Sequence, residues 1–380
     1  MSQKAPRKPT IYTIAKLAGV SHTTVSRALN GHPKVSESQR KKIEAIADQL
    51  GFVRPNRHAI ALRTKRFQMV GLLLSDFVNP YNSELAQGID SELRRHGYAC
   101  MVSGCDGDGR EAETIARLFV EAGVDAIITN MPQALPFLGQ AGAPPAVLIS
   151  DAVVDGYAAS VRIKVYDGTY QAVKHLVALG HRRIAHLGAG GHSERFAAYA
   201  AAMREAGLRP ELLACGDQGC SRLELQERVE RVVRQALEDP AAMPTAVVAH
   251  DDLMALTALQ VAREMGLSVP RDLSIVGHDD TLVARLVTPR LSSISIPIEK
   301  AARAAARLAL RLGGVELRGS ERSGVEKSDG TPNAGKLRGL EGRDAGAGAS
   351  DPGGKTAGLH CELVTMPVWR DSTAPPSKPA

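Results

Sequence analysis

An α/β protein is predicted from this 380-residue sequence, with two parallel-sheet halves behind a small, basic, all-helical head. Three observations carry that expectation. Between Thr10 and Asn30, apolar residues at three- and four-residue spacing break at a tight turn and then resume. From Gln68 onward, short apolar runs alternate with amphipathic helices, twice over, as parallel sheets covered on both faces require. The charge is unevenly divided: residues 1 to 66 hold 14 Lys or Arg against 3 Asp or Glu, a net of +11, so with +6 overall the remainder carries −5.

The first helix is read from Ile11, Ile14, Ala15, Leu17 and Ala18, and the second from Val25, Ala28 and Leu29, with Gly19-Val20-Ser21 between them. Gly19 supplies a turn conformation that a side chain makes costly, and Ser21 stands before the second helix as its N-cap. That helix turns His22, Thr23, Ser26 and Arg27 outward. Such a face suits base edges and phosphates, although a plain solvated face has a similar composition. Ser36 to Leu50 makes a third amphipathic helix, with Ile43, Ile46, Ala47 and Leu50 along one side.

The runs T-I-x-x-I-A-x-L-A-G-V-S-x-T-T-V-S-R-A-L-N-G, V-S-E-x-x-R, L-G-F and P-N-x-x-A-x-x-L-R-T make this N-terminal quarter resemble the lactose-repressor (LacI/GalR) family of bacterial transcription regulators. The resemblance implies a helix-turn-helix head over residues 1–51 and a hinge over 52–66, whose segment after Pro55 becomes a hinge helix. By position it assigns DNA contacts to Ser21, His22, Thr23, Thr24, Ser26, Arg27 and Asn30 in the head, and to Ala59 and Leu62 in the hinge. Leu62 lies apolar among Arg57, Arg63, Lys65 and Arg66, as a minor-groove wedge flanked by phosphate contacts requires. The spacing from Phe52 to Pro55 is one residue longer than the family's usual pattern.

A chain of this length is expected to form at least two domains. The positive excess belongs to the head, where a polyanion is expected to bind. Met1 to Lys8 is polar with no apolar segment behind it, and no apolar run is long enough to span a bilayer. A cytoplasmic protein with no membrane partner is the expectation. Cys100, Cys105, Cys215, Cys220 and Cys361 form an odd set without a CxxC pair, which points to reduced structural thiols.

In the body, strands are expected at Met69 to Leu74, Tyr98 to Ser103, Ala126 to Thr129 and Pro145 to Ser150, with helices at Ser83 to His96 and Glu111 to Glu121. The rhythm repeats with strands at Arg183 to Leu187, Leu212 to Cys215, Ala246 to Ala249 and Leu273 to Gly277. Its helices are Gly168 to Leu179, Arg195 to Ala206, Leu223 to Leu237 and Leu253 to Met265. Pro297 to Leu312 reads as a further, Ala-rich helix. Residues 313–359 are rich in Gly, Ser and charge, too poor in large apolar groups to offset ordering entropy, and read as a flexible insertion. A closing strand is expected within Leu359 to Trp369, and residues 371–380 as a tail without a heptad. Two α/β halves suggest a cleft at the carboxyl ends of their strands.

This body resembles the effector-binding core of the same family, itself related to periplasmic sugar-binding proteins. The matching pieces are N-P-Y at Asn79 to Tyr81, G-V-D-A-I-I at Gly123 to Ile128, H-L-x-x-L-G-H-R-R-I-A at His175 to Ala185, D-L-M-A-L at Asp252 to Leu256, and G-L-S-V-P-R-D-L-S-I-V-G-H-D-D at Gly266 to Asp280. The resemblance implies two subdomains, 67–165 plus 296–312 and 166–295 plus 360–370. Its effector pocket falls on Ser75, Tyr81, Asn82, Ser150, Arg195, Asp251 and Asp279. For each of these, a salt bridge or helix cap is the competing role. Asn82 stands where the family often has an aromatic, Ser150 and Lys164 where aspartate is frequent, and Asp251 where asparagine is. The Gly216 to Gly219 loop lacks a stacking aromatic. A small polar metabolite, a sugar or sugar acid, is therefore expected rather than a stacked purine.

Cofactors and metals are not expected. Asp106-Gly107-Asp108-Gly109 lacks calcium-ligating oxygens at Arg110 and Arg117, and Gly188-Ala189-Gly190-Gly191 lacks the Lys-Ser/Thr of a phosphate loop. His175, His181 and His186 share no metal-ligand spacing, and no nucleophile, base and orienting acid come together, so an enzyme is not expected. The resemblance implies a homodimeric repressor of a near-palindromic operator. A solute-binding protein or a sugar-modifying enzyme on the same core are the rival readings.

Overall fold

The computed structural model describes residues 9–29, 32, 34–52, 66–140, 142–152, 154–216, 221–315 and 359–377. The chain divides into two compact units, Met1–Lys65 and Arg66–Ala380. In the first, α1 (Ile11–Ala18) starts at a capping box between Thr10 and Thr13 and ends at Gly19, whose φ of +69° is the left-handed conformation expected there. Helix α2 spans His22–Leu29, with Ser21 Oγ accepting from Thr24 N at 3.1 Å; α3 spans Glu37–Gln49 with Ser36 as N-cap. Ile14, Val25, Ala28 and Ile43 are fully buried between the three helices. Phe52 packs on that core, whereas 53–65, and with them most of the expected hinge, lie outside the described residues.

The second unit holds two six-stranded sheets. The strands are β1 (Met69–Leu74), β2 (Ala99–Gly104), β3 (Ala126–Thr129), β4 (Ala146–Ser150), β5 (Ala159–Lys164), β6 (Ile184–Gly188), β7 (Glu211–Ala214), β8 (Ala246–Ala249), β9 (Ser274–Asp279), β10 (Ser292–Ser295), β11 (Leu359–Val364) and β12 (Met366–Val368). The first sheet runs β11-β5-β4-β3-β1-β2, the second β12-β10-β9-β8-β6-β7, and every pairing is parallel except β10 with β12. Central strands such as Met69–Leu74, buried over five of six positions, are the continuous apolar runs that a sheet covered on both faces needs.

The helices of this unit are α4 (Pro80–Arg95), α5 (Gly109–Glu121), α6 (Leu135–Leu138), α7 (Val165–Ala178), α8 (Glu194–Glu205), α9 (Arg222–Leu237), α10 (Asp252–Glu264), α11 (Leu282–Leu286) and α12 (Ile298–Leu312). Three connections join the halves. β5 runs directly into α7, whose Ala172, Val173 and Leu176 pack in the second half; α12 returns to the first, its Ala301, Ala302 and Ala305 against Leu85 and Ile89 of α4; and Thr365 links β11 to β12.

Three expectations are corrected here. Residues 360–370 do not all belong to the second subdomain: Leu359–Val364 pairs with Ala159–Lys164 of the first sheet, burying Cys361 and Leu363, and only Met366–Val368 joins the second. Residues 371–377 are not a loose tail. Ser372 is fully buried, its hydroxyl accepting from Ser292 N at 2.7 Å and donating to Ile275 O at 2.6 Å, while Ala374 O accepts from His181 Nε2 at 2.8 Å. The insertion is narrower than 313–359, because Val315 packs on the first core and Leu359 begins a strand; residues 316–358 lie outside the described residues. Strands β5 and β10 were not expected from the sequence at all. β5 alternates buried and half-buried residues around Arg162 and Lys164, because it faces the core on one side only.

Candidate functional site

On the head, His22, Thr23 and Arg27 are exposed along α2, and Lys16, Lys34, Lys41 and Lys42 are exposed on the same small unit. The Ser21 hydroxyl lies 2.9 Å from both the Thr23 and Thr24 hydroxyls, so this cluster also holds the start of the helix. Tyr12, 64% exposed, sets its ring 5.1 Å from that of His22, an exposed aromatic beside α2 that sequence reasoning missed. Its signal was a large residue at a position where the helical period demands none. Asn30, Ala59 and Leu62 lie outside the described residues.

In the body, a cavity of about 400 Å³ opens between the two sheets and is lined by all seven residues named from the sequence: Ser75, Tyr81, Asn82, Ser150, Arg195, Asp251 and Asp279. Asp76, Asn130, Asp151, Arg222 and His250 line it as well. Strand ends and helix starts position them. Ser75 follows β1, Tyr81 and Asn82 open α4, Ser150 ends β4, Arg195 opens α8, Asp251 caps α10 and Asp279 ends β9. Ser75, Asn82 and Asn130 form a polar set that also reaches Asp76, with Asn82 Nδ2 donating to Ser75 Oγ at 3.0 Å, Asn130 Nδ2 to Asn82 Oδ1 at 3.0 Å, and Ser75 N to Asn130 Oδ1 at 2.9 Å.

Arg195 is not a free cation. Its Nη1 donates to Asp151 Oδ2 across the cleft at 2.7 Å and lies 3.5 Å from His250 Nε2. Asp251 accepts from Met254 N at 2.8 Å as a helix cap and from Arg222 Nη2 at 2.5 Å, so the competing roles weighed from the sequence are both present. Asp279 is held differently. Its φ is +104°, it is 3% exposed, and among the described residues the hydrogen-bond partner of its carboxyl is His278 Nδ1 at 3.1 Å. Burial pushes its pKa well above the usual carboxylate range, the charges of Asp252 and Asp251 add to this, and Arg195 opposes it. Burial and the Arg195 charge hold His250 and His278 well below the usual histidine range and push His186 down to about 3. All three imidazoles are therefore neutral near pH 7. Among the described residues, no group of three or more His, Cys, Asp or Glu is arranged to hold a metal.

The family description "Bacterial regulatory proteins, lacI family" matches residues 10–56, and "Periplasmic binding protein-like domain" matches residues 173–326. The HTH-type transcriptional regulator DegA of Bacillus subtilis is 34% identical over 308 residues, 77% of this chain and 88% of DegA. The chain belongs to the LacI family. Solved structures of LacI-family proteins share its fold. One is the Lac repressor dimer bound to operator and an anti-inducer, with a TM-score of 0.72 and 25% identity over 97% of this chain and 100% of that one. Another is the transcriptional regulator CelR with cellobiose, with a TM-score of 0.59 and 26% identity over 96% and 99%. Such relatives are transcription regulators rather than enzymes, and among the described residues no helix is long and apolar enough to cross a membrane.

Within this LacI-family core, sequence reasoning missed Asp76, Asn130, Asp151, Arg222 and His250. Local signals for three of them stood in the sequence: Asn130 and Asp151 directly follow predicted strands, and Arg222 follows Ser221, whose capping box with Glu224 marks a helix start.

Proposed function

We propose that this LacI-family protein is a cytoplasmic homodimer that binds a near-palindromic operator through α2 of each head, and that a small polar metabolite in the cleft sets its affinity. The observation that carries the ligand half is the convergence of Ser75, Tyr81, Asn82, Ser150, Arg195, Asp251 and Asp279 on one cavity between two parallel sheets. The DNA half rests on the family and on the basic head with its exposed Arg27. In this reading, Leu62 wedges into the minor groove and Ala59 contacts DNA beside it.

Ligand control follows from bonds that span the cleft. Arg195 to Asp151 and Arg162 to Glu194, at 3.3 Å, join α8 of the second half to β4 and β5 of the first. Leu282 N donates to Glu84 Oε1 across the same divide at 2.9 Å. A molecule that binds one arrangement of the halves better than another shifts their equilibrium and, through it, the grip on DNA. Fluorescence anisotropy on an operator selected from genomic fragments, with and without candidate sugars, tests this. A salt-sensitive preference for a palindrome, changed by a sugar, is expected; no preference over bulk DNA overturns the reading.

A further inference from the structure

The first sheet is covered unevenly. On one face α4 and α12 bury Ala159, Val161 and Ile163 of β5 together with Cys361 and Leu363 of β11. On the other, the core beneath α5 and α6 takes in Leu73, Ile127, Ala146 and Leu148 and, among the described residues, nothing from β5 or β11. Strand alternation sends Ser160, Arg162, His360 and Glu362 to that uncovered side. There they line a trough of about 610 Å³, a size that holds a small organic molecule. Leu135, Leu138, Pro144, Pro145, Val154 and Tyr157 give it an apolar lining.

Its cation is already matched. Arg162, the one guanidinium lining it among the described residues, donates to Glu194 at 3.3 Å and lies 3.6 Å from Glu362, which Lys164 holds at 2.8 Å. Asp155 is exposed at the trough and pairs with no cation among the described residues. An anion entering here gains no unmatched positive charge in exchange for its lost hydration. The uncharged polar groups are better placed. Ser160 Oγ and His360 Nδ1 lie 2.7 Å apart, and this pair presents a donor or an acceptor according to the imidazole tautomer, so it meets a hydroxyl either way.

We propose that this trough is a second small-molecule site, for an uncharged, mostly apolar compound of the phenol class, whose ring lies on the apolar lining and whose hydroxyl meets Ser160 and His360. Ser150 and Ala152 line both the trough and the cleft, and Arg162 also anchors the bridge to Glu194 of α8. An occupant therefore adjoins a bond that joins the two halves. The site stands whatever the cleft binds.

Titration calorimetry on the full chain, with 2-naphthol and its anionic counterpart 2-naphthoate, tests this. 2-Naphthol is expected to bind saturably, once per chain, and 2-naphthoate roughly tenfold or more weakly, because its carboxylate finds no unmatched cation. His360→Ala and Ser160→Ala are each expected to weaken 2-naphthol roughly two- to tenfold. Ala158→Trp, at an exposed lining position, fills the trough and is expected to abolish binding; Ala143→Trp fills it from a second position if the first variant does not fold. Any of four results overturns the proposal: no saturable 2-naphthol binding, equal binding of the two probes, unchanged binding in a folded filling variant, or unchanged binding in both His360→Ala and Ser160→Ala. Binding that appears only when residues 316–358 are replaced by a Gly/Ser linker would show that this chain fills the trough itself, and overturns it as well.

Discussion

Arg27 and Asp252 show how single side chains carry two different kinds of constraint. Arg27 is exposed on α2, and in the proposed operator complex its guanidinium donates twice to a guanine edge. Arg27→Ala is expected to lose about 1–3 kcal/mol on the preferred operator and to relax discrimination at one base position, as read by anisotropy on single-base variants. Equal losses on operator and random DNA would reduce the residue to a phosphate contact. Asp252 is 1% exposed and accepts from Thr281 N and Thr281 Oγ1, both at 2.8 Å, and from Ser293 Oγ at 2.6 Å. Its oxygen also requires glycine at 277, where a Cβ would sit 2.3 Å away. Burial pushes its pKa up to about 6, against those hydrogen bonds. The folded state thus favours the protonated form, so the stability this group contributes is present below the ordinary carboxylate pKa and lost as pH rises through about 6. Asp279 shifts in the same sense. Asp252→Asn keeps the shape and removes the titration. Thermal melts across pH 4 to 7 are expected to fall less steeply for the variant, by an amount on the order of 2–3 kcal/mol at most at the upper end. Parallel melting curves would show that the carboxyl does not titrate in this window.

Among the elements, the C-terminal strap makes the sharpest case. Trp369 stacks on His175 at 4.0 Å, and Arg370 pairs with buried Asp280 and donates to Leu291 O at 2.7 Å. Ser372 then closes the edge of the second sheet beside Ser292 and Ile275. Truncation after Val368 leaves Asp280 without one of its two arginines and the Ser292 and Ile275 backbone groups without partners, each orphaned group costing about 1–3 kcal/mol. A clear drop in the melting temperature of Arg66–Ala380 is expected, with head helicity unchanged; an unaltered melt would show that the strap is dispensable. Periodicity located the long helices and central strands because each buries a full face or stripe, and it passed over the short helices Leu135–Leu138 and Leu282–Leu286. It also passed over β5 and β10, which sit next to the sheet edges and carry polar residues such as Ser160, Arg162, Ser292 and Ser293. Hydrophobic pattern reports an apolar face, and in β10 the buried Ser292 and Ser293 supply none.

Across the full chain, three crossings tie the halves of the core together, and the third comes from sequence on the far side of residues 316–358. Replacing 316–358 by a short Gly/Ser linker is expected to keep one cooperative core transition and operator binding, since Val315 and Leu359 already anchor the two ends. Loss of cooperativity in calorimetry would make that segment part of the fold. The basic three-helix head and the alternation of strands and helices could be read along the chain, because caps and periods are local properties, and the seven cleft residues came from the resemblance to the family. Pairing could not. That Asp151 silences Arg195, that Arg222 holds Asp251, that Leu359–Val364 and Met366–Val368 part into different sheets, and that Ser372 is buried all depend on groups far apart in sequence meeting in space, and no local period encodes which charge a distant one will meet.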